Sequence, residues 1–134
     1  MNQDFMDLAF QCAETAFNHD EVPIGAVIVK DGKIISSAYN TKENDRSVLS
    51  HAELIAIKKA EDFLNNWRLD GCELYVTLDP CPMCASAIKQ SRISKVYSAL
   101  NNSNDGNISI ISDIFESDST NPGVDFTSNL AVDK

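Results

Sequence analysis

The chain has 134 residues, which suits one domain over residues 1–134 and is long enough to bury a core without disulfides. Hydrophobic residues make up 43% and charged residues 23%, so the composition is globular and excludes disorder along the whole chain. The formal net charge of −9 excludes long-range attraction to polyanions, so any binding of nucleic acid needs a local basic patch and a shaped pocket.

Helical and strand-like patterns alternate along the chain. Apolar residues at helical spacing predict a helix over residues 4–18, and two strand-like runs at 25–29 and 33–39 flank Asp31-Gly32 and predict a hairpin. A polar loop is predicted at 40–50. Beyond it the patterns predict helices at 51–64, 82–90 and 108–115, strands at 72–78, 94–100 and 124–127, and loops at 101–107 and 116–123. This order predicts an α/β fold, a three-layer α/β/α domain with a mixed central sheet.

The apolar runs and the N-terminus indicate the compartment. No apolar run approaches the roughly 18 residues of a membrane span, and the first residues lack the basic, apolar and small-residue order of a signal peptide. We therefore expect a cytoplasmic protein with no membrane partner. In that compartment four cysteines are more typical of thiols or metal ligands than of disulfides.

Two short segments contain residue types that are typical of catalytic sites. They are residues 50–53 (Ser-His-Ala-Glu) and residues 79–84 (Asp-Pro-Cys-Pro-Met-Cys). Each has an ordinary structural alternative. The first fits a capping box, in which Ser50 and Glu53 satisfy backbone amides at a helix start. In the second, the two cysteines fit a redox pair or half of a structural zinc site, and Asp79-Pro80 fits a helix start.

Together the two segments fit a catalytic zinc site better than either fits its alternative. His51, Cys81 and Cys84 supply three ligands, and a catalytic zinc keeps three protein ligands and an open position for water. Glu53 follows His51 closely enough to face that open position, where a carboxylate can move protons between water and a substrate nitrogen. His-x-Glu followed by Pro-Cys-x-x-Cys is the known signature of zinc nucleobase deaminases, and the assignment rests on that signature.

Over about residues 5–100 the sequence resembles the cytidine deaminase superfamily and, more closely, the bacterial tRNA-specific adenosine deaminases. The resemblance is carried by residues 21–29 (Glu-Val-Pro-Ile-Gly-Ala-Val-Ile-Val), 39–40, 51–53, 66–69 (Asn-Trp-Arg-Leu), 74–84 and 91–93 (Ser-Arg-Ile). It implies a zinc-dependent hydrolase that converts adenosine to inosine at the wobble position of tRNA. It also implies a homodimer in which both chains shape the substrate groove around an anticodon loop.

The resemblance assigns roles to individual residues. It implies that His51, Cys81 and Cys84 hold zinc and that Glu53 is the proton shuttle. Asn40 matches a family asparagine that contacts the target base and its sugar, although a turn residue at a strand end is the alternative.

Helix-end geometry adds a further expectation, that the backbone around Ala52 and beside Cys81, at Pro80, holds the base. Trp67 is predicted to be a buried aromatic residue, with a base-stacking platform as the alternative. Cys12 and Cys72 match no ligand position and are predicted to be small core residues.

The last quarter of the chain departs from the family pattern. Asn101 stands where the family has an acidic residue, the lysine that follows in the family is absent, and Pro122-Gly123 replaces a His-Arg pair. The final basic helix of the family is expected to be absent because this chain stops at Lys134.

These departures and the acidic charge favour a second enzyme hypothesis, a deaminase of a free nucleobase or nucleoside of the guanine or cytosine type. A third hypothesis is a non-catalytic, zinc-stabilised subunit, against which the presence of Glu53 argues. On the tRNA hypothesis, five basic residues form a local face across a dimer groove, whereas the alternative is ordinary solvated charge: Lys58, Lys59, Lys89, Arg92 and Lys95.

Overall fold

The computed structural model describes residues 1–101 and 107–130, so most of the loop predicted at 101–107 lies outside the described residues. The helices are α1 (Gln3–Asn18), α2 (Lys42–Asp45), α3 (Ala52–Leu64), α4 (Pro82–Gln90) and α5 (Asn107–Phe115). The strands are β1 (Gly25–Lys30), β2 (Lys33–Tyr39), β3 (Cys72–Leu78), β4 (Lys95–Leu100) and β5 (Asp125–Thr127). Every predicted helix and strand is therefore confirmed within one residue at each end, and α2 is an additional short helix inside the predicted 40–50 loop.

The strands form a mixed sheet in the order β2-β1-β3-β4-β5. β1 runs antiparallel to both β2 and β3, whereas β4 runs parallel to β3 and to β5. Because β2 and β3 are both antiparallel to β1, their carboxyl ends lie at the same edge of the sheet. The residues that follow β2 and β3 are therefore brought to one edge, although they are far apart in sequence.

Helices cover both faces of the sheet, which confirms the three-layer α/β/α prediction. Val27 and Val29 of β1 pack with Met6 and Ala9 of α1 on one face. The alternate β1 residues pack on the other face with buried residues of α3, α4 and α5. This alternation follows from the two-residue period of a strand, and it makes β1 buried on both sides.

Gly25 lets α1 lie directly against the first residue of β1. A Cβ atom at this position would stand 2.0 Å from the carbonyl oxygen of Ala9 and 2.7 Å from the amide nitrogen of Ala13. Only glycine fits so close an approach of helix and strand backbones. The contact fixes the segment just before β1, which runs beside the end of β2.

The structure excludes the capping box that was the structural alternative for residues 50–53. The N-cap of α3 is His51, and the Ser50 hydroxyl donates to Asp45 at 2.8 Å and is not used to accept from an α3 amide. The Glu53 side chain is buried, so residues 50–53 do not form a capping box.

None of the helices in the described ranges has the length and hydropathy needed to cross a membrane.

Candidate active site

The starts of α3 and α4 bring the two sequence motifs together. His51 is the N-cap of α3 and Cys81 is the N-cap of α4, both in extended backbone conformations and with no capping hydrogen bond from their side chains. Pro82 occupies the first turn of α4, where the missing amide hydrogen costs nothing. Cys84 then lies one turn along, fully buried, so that both thiols are on the side of α4 that meets His51.

The three side chains have the spacing of a metal site. The His51 Nδ1 atom lies 3.8 Å from the Cys81 sulfur and 3.4 Å from the Cys84 sulfur. A tetrahedral zinc with ordinary Zn–N and Zn–S bonds separates a nitrogen from a sulfur ligand by about 3.6 Å, so the donor set fits this ion. Among the described residues, this group of three is the cluster of histidine, cysteine and carboxylate side chains that could hold a metal ion.

The pKa values of the two cysteine thiols are shifted in opposite directions. A hydrogen bond from Cys84 lowers the pKa of Cys81 to about 5, with further contributions from the backbone amides of α4 and from His51. The same hydrogen bond, together with burial, raises the pKa of Cys84. Because thiolates are the forms that bind metals, Cys81 and Cys84 would hold a zinc ion as thiolates, with release of the remaining thiol proton.

Glu53 is a buried carboxyl group beside this cluster. Glu53 is only 3% exposed. Among the described residues, its Oε1 atom is the buried side-chain oxygen or nitrogen that has no hydrogen-bond partner. Burial raises the pKa of Glu53 to about 7, and the nearby Cys81 charge adds to the increase. An unpartnered buried acceptor is costly, so its presence here indicates an atom kept for a water molecule or a substrate.

The residues predicted to contact the substrate lie around the same edge of the sheet. Asn40 follows β2 directly and is buried, and its backbone amide donates to the carbonyl of Ile24 at 3.1 Å. Ala52 is the buried first residue of α3, between His51 and Glu53. Pro80 is buried and directly precedes Cys81. The backbone at both positions is therefore next to the cluster.

A family comparison bears directly on this arrangement. The sequence model described as "Cytidine and deoxycytidylate deaminase zinc-binding region" matches residues 1–100, which include His51, Glu53, Cys81 and Cys84. The chain belongs to this deaminase family.

Several relatives of this deaminase are known tRNA-acting proteins. The tRNA-specific adenosine deaminase of Aquifex aeolicus is 50% identical over 107 residues, which cover 79% of this chain and 71% of that protein. The tRNA-specific adenosine deaminase of Bacillus subtilis is 48% identical over 98 residues, which cover 72% of this chain and 61% of that protein. The matches thus span about two thirds of the length of these relatives.

Solved structures show the same fold for the deaminase. One structure, from a study of A-to-I editing by tRNA:A34 deaminases at the wobble position of transfer RNA, superposes with a TM-score of 0.88 at 38% identity. That match covers 97% of this chain and 94% of the other. The guanine deaminase of Bacillus subtilis superposes with a TM-score of 0.73 at 40% identity, over 75% of this chain and 66% of the other.

Three further predictions for the deaminase concern residues outside the cluster. Trp67 is 55% exposed, so its prediction as a buried aromatic residue is wrong, and the guanidinium groups of Arg68 and Arg92 lie about 5.5 Å from its ring. Cys72 is fully buried, as predicted. Cys12 is only half-buried, so the prediction of a core residue holds for it in part.

The five basic residues predicted to form a patch are partly neutralised by carboxylates. Lys58 pairs with Asp62 at 3.1 Å, and Lys89 pairs with Asp118 at 2.9 Å. Lys59 donates to a backbone carbonyl of β2. Arg92 donates likewise to the carbonyl of Gln90, and the exposed Lys95 begins β4.

Proposed function

We propose that this deaminase hydrolyses adenosine to inosine at the wobble position of tRNA, acting on a base splayed out of the anticodon loop. The observation that carries the proposal is the unpartnered Glu53 Oε1 beside the His51, Cys81 and Cys84 cluster. The relatives at 48–50% identity support tRNA adenosine as the substrate. A loop base suits this chemistry because its unstacking cost is small.

The proposed roles follow from the positions of the side chains. His51, Cys81 and Cys84 hold the zinc ion, which acts when bound as a Lewis acid that makes water nucleophilic near neutral pH. Glu53 takes the proton that the attacking water loses and delivers it to a ring nitrogen of the base. Glu53 then takes the proton of the hydroxyl group now on C6 and gives it to the C6 amine, which leaves as ammonia, and inosine with a C6 carbonyl remains.

The substrate is held by groups that surround the cluster. Asn40 contacts the base and its sugar, and the backbone at Ala52 and Pro80 borders the base. All three lie at the edge where β2 and β3 end, close to the cluster in sequence or in space. Such fixed contacts place the reacting carbon against the nucleophile.

We also propose that the enzyme is a cytoplasmic homodimer in which the partner subunit completes the substrate groove. Val48 and Leu49, shortly before His51, are 66% and 63% exposed, and Met83 is exposed in the first turn of α4. Consecutive exposed apolar residues beside a site are typical of a surface that is covered by another chain.

The dimer proposal predicts that the wild type has twice the chain mass of 14.7 kDa in light-scattering chromatography. A double substitution, Val48→Glu with Leu49→Glu, should give monomers because it places charge in an apolar interface. Phe17→Glu is the control, since Phe17 is equally exposed but belongs to α1, which packs on the other face of the sheet from α3. A wild type that is monomeric at micromolar concentration would contradict the proposal.

The substrate proposal predicts a preference for RNA over free nucleosides. The value of kcat/KM for an anticodon stem-loop should exceed that for free adenosine by about 100-fold or more, because binding energy from the flanking nucleotides contributes. If basic residues bind phosphates, the rate should fall as salt rises, and Lys59→Gln with Arg92→Gln should reduce the slope by about 0.7 for each phosphate that is no longer neutralised. Lys33→Gln, at the far end of β2, is the control.

A free-base deaminase is the second candidate function, and one specific observation favours it. The guanine deaminase of Bacillus subtilis shares the fold at 40% identity. Xanthine formation from guanine, measured with the same preparations, separates the two candidates. Faster turnover of guanine than of the stem-loop, together with a rate that does not depend on salt, would replace the tRNA proposal.

A further inference from the structure

Glu21 is a buried carboxylate whose partners all lie about twenty residues later in the chain. It stands between α1 and β1 and is 5% exposed. Its two oxygens accept hydrogen bonds from the backbone amides of Glu43 at 2.9 Å and Asn44 at 2.7 Å, and from the Asn44 side chain. Burial alone would raise the pKa of Glu21, but these donors hold it below its ordinary value, so the group is ionised at neutral pH.

The segment that receives these bonds is otherwise poorly attached to the fold. Residues 42–46 are exposed, as are Val48 and Leu49, and no residue of α2 is buried. Among the described residues, the hydrogen bonds that join residues 42–49 to the chain outside 41–50 run to Glu21 and to the carbonyl of His19. Glu21 is therefore the principal anchor of this loop.

The two ends of the same loop border the active site. The backbone amide of Thr41 donates to the carbonyl of Ser50 at 3.0 Å, which joins the first and last residues of the loop. Asp45 strengthens this junction, since its carboxylate accepts hydrogen bonds from the hydroxyls of Thr41 at 2.7 Å and Ser50 at 2.8 Å. Asn40 and His51 are the next residues on either side of the loop. The position of the loop therefore affects the surface between Asn40, a proposed substrate contact, and His51, a proposed metal ligand.

From these contacts we infer that Glu21 is a positioning residue that holds the 41–50 loop in the conformation that receives the substrate. The inference rests on the proposed function only for the identity of the substrate. Without the anchor, the loop samples open conformations, and only the fraction of molecules with a closed loop binds. Loss of Glu21 therefore acts on binding, whereas the chemistry of a bound substrate changes little.

The test compares Glu21→Gln and Glu21→Ala with Glu43→Gln. Glutamine cannot accept all three bonds, since its amide nitrogen would face another donor. Glu43→Gln makes the same chemical change on the loop itself, but the Glu43 contact with Glu21 is made by its backbone, which the substitution leaves intact. Asn44→Ala removes the side-chain amide that donates to Glu21 and leaves Glu21 itself in place. It serves as a second variant if Glu21→Ala does not fold.

Three measurements are made on each zinc-loaded protein: amide hydrogen exchange of residues 42–50, metal content, and kcat and KM on the anticodon stem-loop. In Glu21→Gln, exchange of the Glu43 and Asn44 amides should rise about tenfold or more, because each bond to a buried charge is strong. The KM value should rise by a similar factor, with kcat within about threefold of wild type and zinc unchanged. Glu43→Gln should match wild type in all three.

The outcomes separate this inference from the proposed function. Unchanged exchange in both Glu21 variants and in Asn44→Ala would overturn the inference, whatever the substrate. Faster exchange in the Glu21 variants with an unchanged KM would also overturn it, because it would show a purely structural role. If the wild type deaminates guanine and not the stem-loop, the proposed function fails, and a raised KM for guanine in Glu21→Gln with faster exchange still supports the inference.

Discussion

Glu53→Gln is expected to lower kcat by about 10²–10⁴-fold, the range that general acid–base groups contribute. Glutamine keeps the size of the side chain but cannot take up the proton that the attacking water loses. Zinc content should remain at about one ion per chain, since Glu53 is not in the ligand set. The measurement is single-turnover kinetics on the anticodon stem-loop with elemental analysis of the same sample.

The matched control for this substitution is Glu61→Gln. It makes the same chemical change on the same helix, two turns further along, at a partly exposed position. Its kcat should equal that of wild type. A Glu53→Gln enzyme with wild-type kcat would contradict the mechanism and would leave Glu53 with a structural role only.

Cys84→Ala is expected to remove most of the bound zinc and, with it, the activity. The Cys84 sulfur lies 3.4 Å from His51 Nδ1, and its loss leaves two of three protein ligands. Mutation of a residue that only hydrogen-bonds to a metal ligand already costs about 10–100-fold in metal affinity. Loss of the ligand itself should therefore lower the zinc content from about one to below about 0.1 per chain after dialysis. Elemental analysis measures this directly.

Cys72→Ala is the control for this substitution. Cys72 and Cys84 are both fully buried, so each replacement leaves a cavity of similar size, but Cys72 lies on β3 outside the metal cluster. Its zinc content should stay at the wild-type value. Equal zinc in Cys84→Ala and wild type would remove Cys84 from the ligand set.

The sequence predicts the elements of this protein well because their patterns are local. The alternation of Val27 and Val29 with their neighbours in β1 reflects the two faces of the sheet, and the helix starts at His51 and Cys81 coincide with the signature residues. The mixed topology follows from the order of helices and strands, since parallel strands need helical connections.

The features that the sequence did not predict depend on contacts between distant residues. Trp67 is exposed whereas Leu69, two residues later, is fully buried, and spacing alone cannot choose between them. Glu21 has the appearance of a surface acid beside an apolar strand. Its burial is possible only because the amides of α2, which the polar 40–50 segment does not predict, fold back onto it.

We propose that this deaminase forms inosine in tRNA through Glu53 and the His51, Cys81 and Cys84 cluster. Nucleoside mass spectrometry of total tRNA, digested after incubation with the zinc-loaded protein, tests it most directly. We expect inosine at the wobble position with wild type and none above background with Glu53→Gln. The absence of inosine with wild-type protein that releases ammonia from free guanine would contradict it.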